Sequence, residues 1–207
     1  MTTLEPFRRA TAVVDWDQPE VLAVARQLAR GKVLPVDVAR SCFEWVRDEV
    51  SHTVDYRLEQ VTCSASEVLR ERTGFCYAKS HLLAALLRAN GIAAGFVYQR
   101  LALDKQAMGF CLHGLNALWL PDVGWYRIDA RGNRDDLRAG FDPPREHLPF
   151  APLDDDWRDA ARFLGLKFLS DHVQEDVDPG EILDQETQNL DRRFRGARPY
   201  MLALVAD

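Results

Sequence analysis

Apolar residues recur every three or four positions along the first part of the chain, which is the period of a helix with one buried face. The spacing predicts helices over residues 19–30 and 36–50. Pro19 suits the first turn of the earlier helix, and Gly31 is placed to end it. Cys42 falls on or beside the apolar stripe of the later helix, so we predict that it is a thiol of the core.

Two further helices are predicted from a capping signal and a glycine stop. Ser64 and Glu67 have the spacing of a capping box, in which each side chain satisfies a free backbone N–H of the first turn. They open a short helix through residues 66–72, which Thr73 and Gly74 stop. The next helix begins at or next to Cys76, has a broad apolar face, and ends at the left-handed stop that Gly91 supplies.

The hydrophobic period changes to two after the fourth helix, as expected for strands. Strand-like runs cover 92–101, 110–120 and 125–130, and the turn 121–124 separates the last two. Helices followed by neighbouring antiparallel strands predict an α+β fold, with the helices packed on an antiparallel sheet. The pattern weakens beyond residue 140, and residues 141–150 are typical of an extended connection.

The length of 207 residues fits one domain. We place its core in 1–150 and predict that 151–207 form a helical and extended extension packed on the core. We see no apolar run of the ~18–20 residues that a membrane span needs, and no apolar stretch of a signal peptide. We therefore expect a cytoplasmic protein that has no membrane partner. The sequence leaves the oligomeric state open.

Acidic side chains outnumber basic ones, with a formal net charge of −6. We expect no nucleic-acid partner, because neutralising phosphates requires a basic face. The four cysteines are expected to stay reduced in the cytoplasm. A zinc site formed by Cys63, Cys76, Cys111 and His113 is an alternative, but these residues lack the paired spacing of a zinc clamp. We predict no metal and no cofactor.

Cys76 has the position of an activated nucleophile. The free N–H groups and the positive dipole end of a helix's first turn favour the thiolate form. His113 is the candidate general base, and Asp129 is the candidate partner of its imidazole. A three-residue loop pairs Leu120 with Gly124 and puts the histidine and the aspartate diagonally on one face of the sheet. A four-residue loop would put them on opposite faces.

Four blocks of the sequence occur in an informative order. They are Arg72-x-Gly74-x-Cys76-Tyr77-Ala78, Gly91-Ile92-x-Ala94, His113-Gly114-Leu115-Asn116-Ala117 and Gly124-Trp125-Tyr126-x-Ile128-Asp129. Together they resemble the core of the transglutaminase-like superfamily over roughly residues 40–135. The resemblance implies a papain-like, transglutaminase-like α+β core that has N-terminal helices and the nucleophile at a helix start.

The resemblance also implies a role for each matching residue. Cys76 is similar to the family's nucleophile, His113 to its general base and acid, and Asp129 to the residue that orients the imidazole. The backbone N–H of the cysteine would be one oxyanion donor, and we name Tyr56, then Gln60, for the second. The implied reaction is acyl transfer through a thioester, by hydrolysis or transamidation, on an amide or ester bond of a peptide, protein or small molecule.

The residues around the triad depart from the family's usual sequence. Gly114 to Ala117 stand where an aromatic-Asn-Glu sequence usually follows the histidine, and Ala130 follows the aspartate where a Pro-Thr pair is usual. These departures indicate a different substrate pocket. No calcium-loop signature is present, so calcium activation is not implied. Two alternatives stay open, namely an arylamine acetyltransferase that uses the same triad, and a binding module that keeps the fold without turnover.

Overall fold

The computed structural model of the protein describes residues 4–102 and 110–150. For residues 98–102 and 110–112 only the backbone is considered. The extension predicted over 151–207 lies outside the described residues, as do residues 103–109.

The four helices predicted from the sequence are all present. A short 3-10 helix, Glu5–Arg8, precedes them, and they are α1 (Pro19–Ala29), α2 (Pro35–Glu49), α3 (Ala65–Glu71) and α4 (Cys76–Ala89). The capping box is confirmed, because the Ser64 side chain accepts from the N–H of Glu67 while the glutamate side chain accepts from the N–H of Ser64. The predicted end of this helix is one residue late. The third helix ends at Glu71, and Arg72 caps it in the left-handed conformation, since Thr73 and Gly74 belong to a strand.

Helix α4 is buried on nearly all of its surface, because the other three helices and the sheet pack against it. Its long polar side chains satisfy backbone carbonyls of neighbouring segments. Arg88 Nε donates to the carbonyl of Ala94 at 3.0 Å, and Lys79 Nζ donates to the carbonyl of Val50. Cys42 of α2 is fully buried beside this core, which confirms its prediction as a core thiol. None of the described helices is long and apolar enough to span a bilayer.

The strands form three small sheets within the described residues. Strand β1 (Ser51–His52) pairs in parallel with β2 (Thr73–Gly74). The antiparallel three-stranded sheet consists, in order, of β3 (Ala94–Ala102), β4 (Phe110–Leu120) and β5 (Gly124–Ile128). An antiparallel hairpin consists of β6 (Gly140–Asp142) and β7 (Arg145–His147). Leu120 pairs with Gly124 and Asn116 with Ile128, so the register of the three-residue loop is confirmed. The α+β fold class is therefore confirmed, with helices on an antiparallel sheet and Cys76 at a helix start.

Two features of the fold differ from the sequence prediction. The β1–β2 pair was not predicted, and residues 141–150 contain most of the β6–β7 hairpin in place of an extended connection. Strands of two or three residues are too short to show a hydrophobic period. The hairpin is fixed instead by tertiary contacts, because the hydroxyl of Tyr126 donates to the carbonyl of Arg145 and accepts from the N–H of Asp142.

Candidate functional site

The structure brings Cys76, His113 and Asp129 together from three different elements. The cysteine is the first residue of α4, the histidine lies within β4, and the aspartate directly follows β5. Nε2 of His113 and Oδ2 of Asp129 form a hydrogen bond of 2.5 Å, and both side chains are buried. The other carboxylate oxygen, Oδ1, accepts the backbone N–H of Arg131 at 2.9 Å. Cys76 as a whole residue is half-buried.

Glycine at position 114 allows β4 to approach helix α4. A Cβ atom on Gly114 would lie 2.9 Å from Cα of Tyr77, a distance that real Cβ atoms essentially never show. The close approach puts the backbone N–H of Gly114 3.4 Å from Sγ of Cys76, where it donates a hydrogen bond. It also places the preceding residue, His113, next to the thiol.

The electrostatics of the pair favour an ionised thiol and a protonated imidazole. Burial raises the pKa of the Cys76 thiol, but the charge of His113 and hydrogen bonds from His113 and His52 outweigh it and lower that pKa to about 5. Burial lowers the pKa of His113, but the charges of Cys76 and Asp129 and hydrogen bonds to both outweigh it and raise that pKa to about 10. The two groups therefore form an ion pair across neutral pH.

His52 is a second imidazole at the thiol, and the sequence analysis missed it. It lies in β1, where it pairs with Gly74, two residues before the cysteine. The backbone hydrogen bonds from Ser51 N–H to the Arg72 carbonyl and from Thr53 N–H to the Gly74 carbonyl hold this register. The histidine is buried, and its side chain lies within hydrogen-bonding reach of Cys76.

A cluster of ion pairs lies behind His52. Oδ2 of Asp55 is 3.6 Å from Nδ1 of His52 and 3.0 Å from Nη2 of Arg131, which is itself buried. Arg134 adds a second guanidinium contact to the same carboxylate at 3.2 Å. Because Arg131 also donates its backbone N–H to Asp129, the cluster connects the segment that carries His52 to the segment that holds the His113 partner.

Lys79 supports the site from within the core. Its side chain is fully buried one turn after the thiol on α4. Nζ donates to the carbonyl of Val50 and, at 3.5 Å, to the carbonyl of Arg47, both at the end of α2. Burial lowers the pKa of this lysine to about 7, although the charge of Asp129 acts in the opposite direction. These hydrogen bonds connect helix α4 to the segment that immediately precedes β1.

Phe150 covers the imidazole of His113 from the far end of the described chain. The two ring centroids are 5.0 Å apart at an interplanar angle of 76°, so the rings meet edge to face. The guanidinium of Arg131 lies 5.6 Å from the centroid of the same phenyl ring. This apolar cover limits the access of water to the His113–Asp129 hydrogen bond.

Both residues named for the second oxyanion donor are exposed in the described part of the chain. Tyr56 is 66% exposed and lines a cavity of ≈ 360 Å³ that His52 and Arg131 also line. Gln60 is exposed. Among the contacts described for Cys76, neither residue takes part, whereas His52 does. The role of Tyr56 stays a prediction.

Within the described residues, no group of three or more His, Cys, Asp or Glu side chains is arranged to hold a metal ion. The zinc alternative also involves Cys111, whose side chain lies outside this description. The donors that do surround Cys76 are a backbone N–H and two imidazoles, which suit an anionic sulfur and a developing oxyanion.

The family model described as the transglutaminase-like superfamily matches residues 22–130, just over half of the chain. No curated protein sequence matches. Among solved structures, a candidate cysteine protease from Cytophaga hutchinsonii is similar at 22% identity over 62% of this chain and 42% of its own, with a TM-score of 0.48. The periplasmic domain of TgpA from Pseudomonas aeruginosa, bound to ethylmercury, is similar at 20% identity over 62% of this chain and 48% of its own, with a TM-score of 0.47. The matching part therefore spans less than half of either structure.

Proposed function

Because the chain belongs to the transglutaminase-like superfamily, we propose that it is an enzyme that transfers acyl groups through a thioester on Cys76. One observation carries the proposal: half-buried Cys76 lies beside an imidazole whose Nε2 is hydrogen-bonded at 2.5 Å to a buried carboxylate. In this proposal Cys76 is the nucleophile, His113 is the general base and acid, and Asp129 orients the imidazole.

Acylation begins with the ion pair. The Cys76 thiolate attacks the carbonyl carbon of an amide or ester, and a C–S bond forms while the carbonyl electrons move onto oxygen. When the tetrahedral intermediate collapses, the bond to the leaving nitrogen or oxygen breaks, and protonated His113 gives that atom its proton. The products of this half-reaction are a thioester on Cys76, a neutral His113 and a free amine or alcohol.

Deacylation reverses the roles. Neutral His113 takes a proton from water or from an amine as that molecule attacks the thioester carbonyl, and Cys76 leaves as the thiolate. The hydrogen bond to Asp129 keeps the imidazole oriented in both steps and stabilises its charged form. The ion pair is then restored for the next cycle.

The acceptor determines whether the reaction is a hydrolysis or a transamidation. Because water is abundant and Cys76 is only half-buried, hydrolysis is the expected outcome, and transamidation follows where a primary amine competes for the thioester. The proposed substrates are amide or ester bonds of a peptide, a protein or a small molecule. The cavity of ≈ 360 Å³ beside His52 is a place where a part of such a substrate can bind.

The test is acylation of the full chain by p-nitrophenyl acetate, followed by intact mass spectrometry and peptide mapping. We expect a burst of nitrophenol equal to the enzyme concentration, an acetyl group on Cys76, and slow turnover by water. The Cys76→Ala variant should show no burst, whereas Cys42→Ala, which removes a buried thiol, should keep it. Acetylation of the parent chain no faster than that of Cys76→Ala would contradict the proposal and favour a binding module.

A further inference from the structure

We propose that His52 is a catalytic residue whose imidazole donates an N–H to the oxyanion of the tetrahedral intermediate. The inference rests on the proposed function and deepens it. The backbone N–H of Cys76 at the start of α4 supplies one donor, and His52 supplies a second from β1.

The position of His52 follows from backbone pairing. The parallel register sets His52 opposite Gly74, and the side chain comes within hydrogen-bonding reach of Cys76. In the tetrahedral intermediate the negative oxygen is bonded to the same carbon as Sγ. A donor that reaches Sγ is therefore placed near that oxygen, which is where stabilisation accelerates the reaction.

The two imidazoles at the thiol are held differently. Nε2 of His113 is committed to Asp129 at 2.5 Å, which is the arrangement of a base with its orienting carboxylate. Nδ1 of His52 has no hydrogen-bond partner among the described residues and lies 3.6 Å from Oδ2 of Asp55. Since Nδ1 lies on the side of Asp55, we assign the contact with the thiol to Nε2 of His52.

Surrounding contacts hold His52 in place before a substrate binds. The ring packs edge to face against Phe75 with centroids 6.3 Å apart. Asp55 is fixed by the guanidinium groups of Arg131 and Arg134. The ammonium of Lys79 bonds the carbonyl of Val50, two residues before the histidine. A donor that is already oriented needs little reorganisation when the charge develops.

A role in the tetrahedral intermediate can be separated from a role in forming the thiolate. Iodoacetamide reacts with a thiolate by displacement at a saturated carbon, so no oxyanion forms. p-Nitrophenyl acetate reacts with the same thiolate at a carbonyl, so an oxyanion does form. The ratio of the two rate constants at Cys76 therefore reports stabilisation of the oxyanion, independently of how much thiolate is present.

The experiment measures both rate constants at pH 7 by mass spectrometry of the full chain. His52→Leu removes the donor at similar size, His52→Gln keeps an N–H donor, and His147→Ala is a matched control on the exposed β7 strand. We expect the acylation-to-alkylation ratio to fall about 100- to 1,000-fold in His52→Leu. It should stay within about tenfold of the parent in His52→Gln and unchanged in His147→Ala.

An unchanged ratio in His52→Leu would overturn the inference, whether both rates fall together or neither does. If His52→Leu does not fold, His52→Gln decides. An acylation-to-alkylation ratio in His52→Gln that stays near the parental value would support the donor role, and a ratio that collapses would exclude it. A parent chain that is alkylated but never acylated overturns the proposed function instead, and the inference with it.

Discussion

The backbone N–H of Gly114 donates a hydrogen bond to Sγ of Cys76 across 3.4 Å. This contact exists because β4 and α4 approach each other more closely than a side chain at position 114 would permit. The same approach brings the neighbouring His113 to the thiol, so the absence of a single Cβ atom determines the spacing of the Cys76 thiol and the His113 imidazole.

Replacing Gly114 with alanine should separate the strand from the helix. The added Cβ would lie 2.9 Å from Cα of Tyr77, and backbone at that position cannot yield as a flexible side chain can. We expect the acylation rate of Cys76 to fall at least about tenfold and the free energy of unfolding to drop by about 1–3 kcal/mol. Kinetics and urea denaturation measure the two effects.

Gly140→Ala is the matched control for this substitution. Its Cβ would meet the side chain of His147 at 3.3 Å in a hairpin remote from the thiol in sequence, so we expect nearly parental acylation. Equal acylation rates in the two alanine variants would show that the close approach at Gly114 does not set the geometry of the site.

The ion pair predicts the pH dependence of alkylation at Cys76. The lowered pKa keeps the thiol ionised above about pH 5, so iodoacetamide should react well below pH 7. In His113→Ala the main cause of the lowering is gone, and the midpoint should move up toward the ordinary value of ~8.5. Alkylation rates from pH 4 to 10, mapped by peptide, check this shift.

Cys42 provides an internal control in the same samples. Burial raises the pKa of its thiol to about 12, so it should react slowly at every pH tested in both chains. A Cys76 midpoint that is the same with and without His113 would contradict the ion pair.

Asp129, the partner of the His113 imidazole, should affect the alkaline limb of the plot of reaction rate against pH. Burial lowers the pKa of His113, but the Cys76 thiolate together with the charge and hydrogen bond of Asp129 raises it to about 10. Asp129→Asn removes the charge at nearly constant size. We expect the rate of amide cleavage to fall at least about tenfold and its alkaline limb to move to lower pH, since His113 then loses its proton earlier. An alkaline limb at the parental position would argue that Asp129 does not act on His113.

Lys79 should give the chain a measurable dependence of stability on pH. Its pKa is lowered by burial to about 7, so between pH 7 and the ordinary value the unfolded chain binds more protons than the folded chain. Stability from this group therefore rises with pH over that window and is lowest when the buried amine is charged. Relative to Lys79→Met, the free energy of unfolding of the parent should increase by roughly 1–2 kcal/mol from pH 7 to 9.

Urea denaturation of both chains at pH 7, 8 and 9 measures this difference, and the other titrating groups cancel between the chains. If the difference in free energy of unfolding between the two chains is the same at all three pH values, Lys79 keeps its proton in the folded state through pH 9.

The capping box should affect stability without affecting the chemistry. Ser64→Ala removes the side-chain oxygen that accepts from Glu67 at the start of α3. We expect a loss of about 1 kcal/mol in the free energy of unfolding. The acylation rate per folded molecule should stay at the parental value, because the serine lies outside the contacts described for the thiol. If fully folded Ser64→Ala is acylated at a different rate from the parent, helix α3 influences the site.

Much of the fold could be predicted because its signals are local. A hydrophobic period marks α1 to α4 and the sheet strands, and a serine and a glutamate three residues apart mark the start of α3. The loop after Leu120 has three residues, and that length fixes the strand register at Gly124. Each of these signals is complete within one short stretch of the chain.

The order of Cys76, His113 and Asp129 and the elements that carry them follow from local sequence signals, because helix starts and strand alternation are properties of neighbouring residues. The contact of His52 with the thiol depends instead on how distant segments pack. The strand of His52 has two residues and so shows no period, and its partner strand lies about twenty residues further along the chain. Pairing over that distance is selected by packing of the whole core, through contacts such as that of Lys79 with the end of α2.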